Sequence, residues 1–179
     1  MPTTILEGLL SGLSHPAVGL DHLAFIFVLG LVAALMPTGF ALIGAFVAAA
    51  AVGAAAHAFN FDFPLSEQLV ALSVVLAGVL CALGLGAKQT IWLPFAAIAG
   101  LLHGYAFGED ALGADGPVIV AYLIGVVIIC SVIAVVVMQL ASKVAKLTSP
   151  SSVPLRIAGA LVAVVGIVLF AQLMRAAGS

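Results

Sequence analysis

Six apolar runs, each about as long as a bilayer-crossing helix, follow one another along this 179-residue chain. Turn signals bracket them at residues 19–35, 39–57, 67–86, 91–107, 117–141 and 153–174. A helical crossing takes about 20 apolar residues, so the length holds about six crossings and little else. The runs are apolar on every face, as segments must be when lipid or another helix meets them all round. Strands of a membrane barrel would alternate at every second residue, and these runs do not. The expectation is an all-α integral membrane protein. It is a single domain over residues 1–179, a bundle of about six transmembrane helices. A short amphipathic turn, residues 5–13, precedes the first of them.

Composition excludes the other classes. The chain is 65% apolar and 7% charged, against roughly 45–50% and 25% in a soluble domain. Five Lys or Arg and seven Asp or Glu cannot solvate the surface of a globule this size. A disordered chain and a nucleic-acid binder, which needs basic patches, are excluded with it. No GxxxxGK[ST] loop occurs, so no nucleotide partner is expected. Cys81 and Cys130 fall inside apolar runs and read as packing residues. Residues 1–15 carry no Lys or Arg and include Glu7, unlike the basic start of a signal peptide. Either the chain inserts by its own first span, or it follows a removed signal.

The few charges sort by side. Alternating crossings put Lys88, Lys143, Lys146 and Arg156 on one side, which the positive-inside rule makes cytoplasmic. Both termini then face outward. Glu7, Asp21, Asp62, Glu67, Glu109, Asp110 and Asp115 all fall at the outer level. So do the four histidines, His15, His22, His57 and His103.

That convergence points to a cation site. His15 and Asp21-His22 have the spacing His-x5-Asp-His. If Pro16 begins a helix, His15 and His22 lie nearly two turns apart on one face, and Gly19 between them leaves that face open. Asp21 is placed to ligate or to receive a histidine N–H. Ionisable groups at the edge of the hydrocarbon are costly to insert and are candidates for function. A nitrogen and oxygen donor set without thiolate favours Ni²⁺, Co²⁺, Zn²⁺ or Cu²⁺ over Cu(I), Mg²⁺ or Ca²⁺. Small residues run beside these histidines. Ala45, Ala49 and Gly53 lead to His57 in steps of four, and Gly100, Gly104 and Gly108 flank His103. Such stripes let membrane helices approach closely, and exposed ones would also permit a homo-oligomer.

The run Gly-Leu-Asp-His-Leu at residues 19–23, preceded by His15, resembles the HupE/UreJ family of small six-span bacterial membrane proteins. His103-Gly104-Tyr105-Ala106-Phe107-Gly108-Glu109 is similar to that family's second motif, roughly F-H-G-x-A-H-G-x-E. Leu102 and Phe107 stand where the pattern has Phe and a second His. The resemblance implies nickel or cobalt uptake across a bacterial inner membrane. It assigns functional positions to His15, Asp21, His22, His103 and Glu109. His57 is a candidate for the missing ligand by its depth and side.

The expected function is uptake of a divalent metal ion, with Asp110 and Asp115 drawing cations to the mouth. Two readings stand beside it. One is a metal-binding accessory protein or sensor that does not transport. The other is a zinc-dependent intramembrane hydrolase, in which zinc activates a water, although no compelling general base accompanies the ligands. A non-enzymatic role is expected. Below the histidine level the polar side chains are few: Ser73, Ser131 and Gln139.

Overall fold

A computed structural model describes residues 2–58, 63–144 and 149–177. Asp62 and Lys146, used above in sorting the charges, lie outside them. Among the described residues there are seven α-helices and no strand. In chain order they are α1 (Ile5–Val18), α2 (Leu20–Ala33), α3 (Gly39–Ala58), α4 (Ser66–Ala82), α5 (Gln89–Gly108), α6 (Gly116–Lys143) and α7 (Val153–Ala177). A 3-10 turn, Glu109–Ala111, continues α5.

The stretches Gly39–His57, Gln89–Ala111, Gly116–Lys143 and Val153–Ala177 are long and apolar enough to cross a membrane. The helices α1 and α2 are long and apolar enough only as a pair, bent by 76°, which is the form of a broken span or of a re-entrant loop. The sixth expected run is α4, an apolar helix of 17 residues. At about 1.5 Å per residue it covers roughly 26 Å, a little under the ~30 Å hydrocarbon core.

The start of the chain departs from expectation. In place of a short turn before one straight span stands a full helix of 14 residues. Thr4 and Glu7 cap it reciprocally: the Glu7 amide donates to Thr4 Oγ1 at 3.2 Å, and the Thr4 amide donates to Glu7 Oε2 at 3.3 Å. This capping box satisfies two of the amides that every helix start leaves orphaned. Pro16 lies in the last turn of α1 and does not begin a helix. The chain turns at Gly19, whose amide donates to His15 O at 3.0 Å while its carbonyl accepts from the Leu23 amide at 2.9 Å. One residue thus closes α1 and opens α2.

Three helix pairs surround α2, and glycine lies in each seam. In the α1–α6 seam, a β-carbon at Gly12 would strike the Tyr122 carbonyl, and one at Gly125 would lie 2.5 Å from the Leu9 carbonyl. Between α3 and α5, β-carbons at Gly53, Gly100 and Gly104 would strike the backbones of Leu101, Phe46 and Ala50. In the α4–α7 seam, Gly78 faces Gly159 and Ala163. Lipid offers helices no hydrophobic drive to associate, so close backbone approach has to supply it. The central α2 buries Phe25, Ile26, Val28, Leu29 and Val32 completely. The outer faces are apolar as well. Val120, Ile124, Ile128, Val132, Val136 and Leu140 form one exposed line along α6.

Charge separates to the two ends of this bundle. Lys88 precedes α5, Lys143 closes α6, and Arg156 in the first turn of α7 donates Nε–H to the Ala82 carbonyl at 2.7 Å. Glu7, Asp21, Glu67, Glu109, Asp110 and Asp115 lie at the opposite end, with Arg175 in the last turn of α7.

Candidate metal site

The bend at Gly19 builds the site. His15 stands in the last turn of α1 and His22 in the first turn of α2. They are therefore not on one helix face, as their spacing suggested. The bend nevertheless folds them together, with ring centroids 5.6 Å apart. Gly19 does not hold open a ligand face. A β-carbon there would meet His22 Cδ2 at 2.7 Å and Asp21 Oδ1 at 3.2 Å, so glycine is what allows the turn. Asp21 accepts the His22 backbone N–H at 2.8 Å, and its Oδ1 lies 3.8 Å from His22 Nε2. A carboxylate in the first turn of a helix is favoured by the orphan amides and the positive end of the dipole.

From His22 a hydrogen-bonded chain descends into the core. His22 Nδ1 is 2.8 Å from His103 Nδ1, and His103 Nε2 is 2.9 Å from Ser73 Oγ. Ser73 Oγ–H donates to the Val70 carbonyl at 2.7 Å. Three helices, α2, α5 and α4, contribute one link each. His103 is completely buried and His22 and Ser73 nearly so, and buried polar groups at this depth need such partners. Ser73 accordingly lies on the histidine chain itself and not below it, as its place in the sequence implied.

His15 has a different partner. Its Nδ1 lies 2.5 Å from Asp110 Oδ2 in the 3-10 turn. Counting through the second motif from His103 brings its acid to position 110, not 109, and the structure pairs that residue with a histidine. Glu109 keeps a role of another kind. With His15, Asp21, His22 and Glu67 it lines a cleft of about 470 Å³ whose far wall is Leu169, Gln172, Leu173 and Ala176 of α7.

Phe107 stands among the imidazoles. Its ring centroid is 4.4 Å from His22, 5.6 Å from His15 and 6.4 Å from His103. Tyr122 fixes the end of α5 there by donating its O–H to the Phe107 carbonyl at 2.6 Å. Among the described residues, no three His, Cys, Asp or Glu side chains are arranged to hold one metal ion together. His22 and His103 turn a nitrogen toward each other, His15 turns one toward Asp110, and Phe107 packs beside the rings. His57 does not join them. Its Nδ1 donates to the Tyr105 carbonyl at 2.8 Å and its ring lies 4.2 Å from that of Tyr105, in the α3–α5 seam. Gly108 packs on His57 there; a β-carbon at Gly108 would come within 2.6 Å of His57 Cβ. Asp115, at the start of α6, does not line the cleft.

Below His103 the interior turns aromatic. Phe25 and Phe46 lie 4.6 and 5.8 Å from its ring, and Phe95 lies 5.9 Å from Phe25. Sequence reasoning missed the Ser73 link, the wedge at Phe107, and Glu67 and Gln172 as lining residues. A lone serine in an apolar helix was the one signal that pointed to the first.

A family model described as HupE / UreJ protein matches residues 2–169, nearly the whole chain. No curated protein and no solved structure matches it.

Proposed function

The chain belongs to the HupE/UreJ family, and we propose that it is an uptake permease for Ni²⁺ or Co²⁺ in a bacterial inner membrane. The family is associated with nickel and cobalt uptake or urease accessory function, and it is not a family of catalysts. One observation supports the reading most: the cleft gathers His15, His22, Asp21, Glu67 and Glu109 from four elements at one end of a membrane bundle. Imidazole nitrogen and carboxylate oxygen suit nickel, cobalt, zinc and copper(II), and leave the choice among them to geometry and supply. The carboxylates draw divalent cations to the opening. With that end outward, a divalent ion moving in gains about 4.6 kcal/mol per 100 mV, twice the single-charge value. No nucleotide is required.

The test is uptake of Ni²⁺ and Co²⁺ by proteoliposomes holding an inside-negative potential. Uptake by the native protein and its loss in His22→Ala is the expected result. Equal uptake by the two proteins overturns the reading.

A second reading, a metal-binding accessory protein that does not transport, is favoured by the aromatic block of Phe25, Phe46 and Phe95 under His103. Saturable binding of Ni²⁺ to the purified protein, with no uptake at any potential, would select it.

A further inference from the structure

We infer that Ser73 is a positioning residue: it dictates which nitrogen of His22 offers a lone pair to the cleft. The inference deepens the cation-site reading and rests on it for its purpose, though not for its chemistry.

The buried chain holds a countable number of protons. Ser73 Oγ lies 2.7 Å from Val70 O, which only accepts, and 2.9 Å from His103 Nε2, and we place the single hydroxyl proton on the shorter contact, to Val70 O. Ser73 Oγ then presents only lone pairs to His103 Nε2 at 2.9 Å, and that nitrogen must carry a proton. A neutral His103 therefore has a bare Nδ1. His22 Nδ1, 2.8 Å from it, must be the donor. A neutral His22 is left with a bare Nε2. This is the nitrogen on the side of Asp21, and both residues line the cleft. A serine on α4, thirty residues before His103 and farther still from the first motif, thus turns a ring nitrogen two links away into an electron-pair donor.

Without the hydroxyl the balance reverses. A proton on His103 Nε2 would be a buried donor with no acceptor, which is costly. The proton shared between the rings would pass to His103 Nδ1, and His22 would carry its own on Nε2. There the Asp21 carboxylate, 3.8 Å away, favours the proton by its charge. In that arrangement the nitrogen nearest the cleft is a donor and binds no cation. Burial strengthens the argument, since neither Ser73 nor His103 is exposed enough for water to replace the lost partner.

The experiment reads tautomers directly, with no metal present. Nitrogen-15 spectra of histidine-labelled native protein should show His22 protonated at Nδ1 and bare at Nε2. In Ser73→Ala the proton should move to Nε2, and Ser73→Thr, which keeps the hydroxyl, should restore the native pattern. Titration with Ni²⁺ alone should then show Ser73→Ala binding about 10- to 100-fold more weakly, the usual cost of losing a partner behind a ligand. A native His22 protonated at Nε2, or a His22 pattern unchanged in Ser73→Ala, overturns the inference. If the tautomer shifts as described while the native protein binds no Ni²⁺, the positioning role stands and the cation reading falls.

Discussion

The two halves of this bundle are put to opposite ends. On the cleft side of His103, polar groups from α1, α2, α4 and the 3-10 turn engage one another: His15 with Asp110, His22 with Asp21 and His103. On the other side α2, α3 and α5 bring Phe25, Phe46 and Phe95 together, with Trp92 edge-on to Phe95 at 5.6 Å. His103 is the boundary, facing Ser73 and His22 through its nitrogens and Phe25 through its ring face. The difference shows what a small membrane protein can do with few polar residues. Gathered at one depth they satisfy one another, and the remaining thickness is left to apolar packing.

Substitutions can break or sharpen this contrast. The largest effect is expected from Phe25→Ala, which removes a fully buried ring from the apolar half. It should cost about 3–5 kcal/mol of stability, measured as unfolding in detergent. If the ion path runs under His103, the surviving folded protein should also take up Ni²⁺ faster than the native one. Next comes Phe107→His, which moves the boundary the other way by placing an imidazole among three others. Ni²⁺ affinity should rise about 30-fold, roughly 2 kcal/mol. The unpartnered ring should lower the melting temperature of the metal-free protein, and added Ni²⁺ should raise it more than in the native chain. A smaller loss follows Asp110→Asn, which leaves His15 a neutral partner. Calorimetry should show Ni²⁺ binding weakened about tenfold. Gln139→Ala, at the far end of α6 beside Met36 and Pro37, should change stability by no more than about 0.5 kcal/mol and leave Ni²⁺ binding as it was.

How far the sequence reveals this arrangement depends on the kind of information each part needs. Helix positions are legible because Pro37, Pro64, the Lys88-Gln89 loop and the Ser-Pro run near residue 150 interrupt uniform apolar stretches. The expected second, fourth, fifth and sixth runs begin and end within a few residues of α3, α5, α6 and α7. Rotation about the helix axis is another matter. A helix apolar all round carries no stripe to show which face turns inward. His57 was at the right depth, yet α3 points it at Tyr105 and away from the other imidazoles. The links from His22 to His103 and from His103 to Ser73 depend on the register between helices distant in the chain, which no periodicity records. The bend failed to show for a local reason. Pro16 is as well suited to a first turn as it is tolerable in a last one, and the apolar residues on both sides of Gly19 read as one span. Only the closing and opening hydrogen bonds at Gly19 distinguish the two.

The bend has a mechanical consequence. α1 is seamed through Gly8 and Gly12 to α6, whereas α2 is embedded at the centre of the bundle. His15 and His22 are therefore the two jaws of a caliper whose pivot is Gly19, one jaw on each side of the bend. Opening or closing that bend changes the gap between the rings. An ion that gripped both rings would pin the angle between α1 and α2.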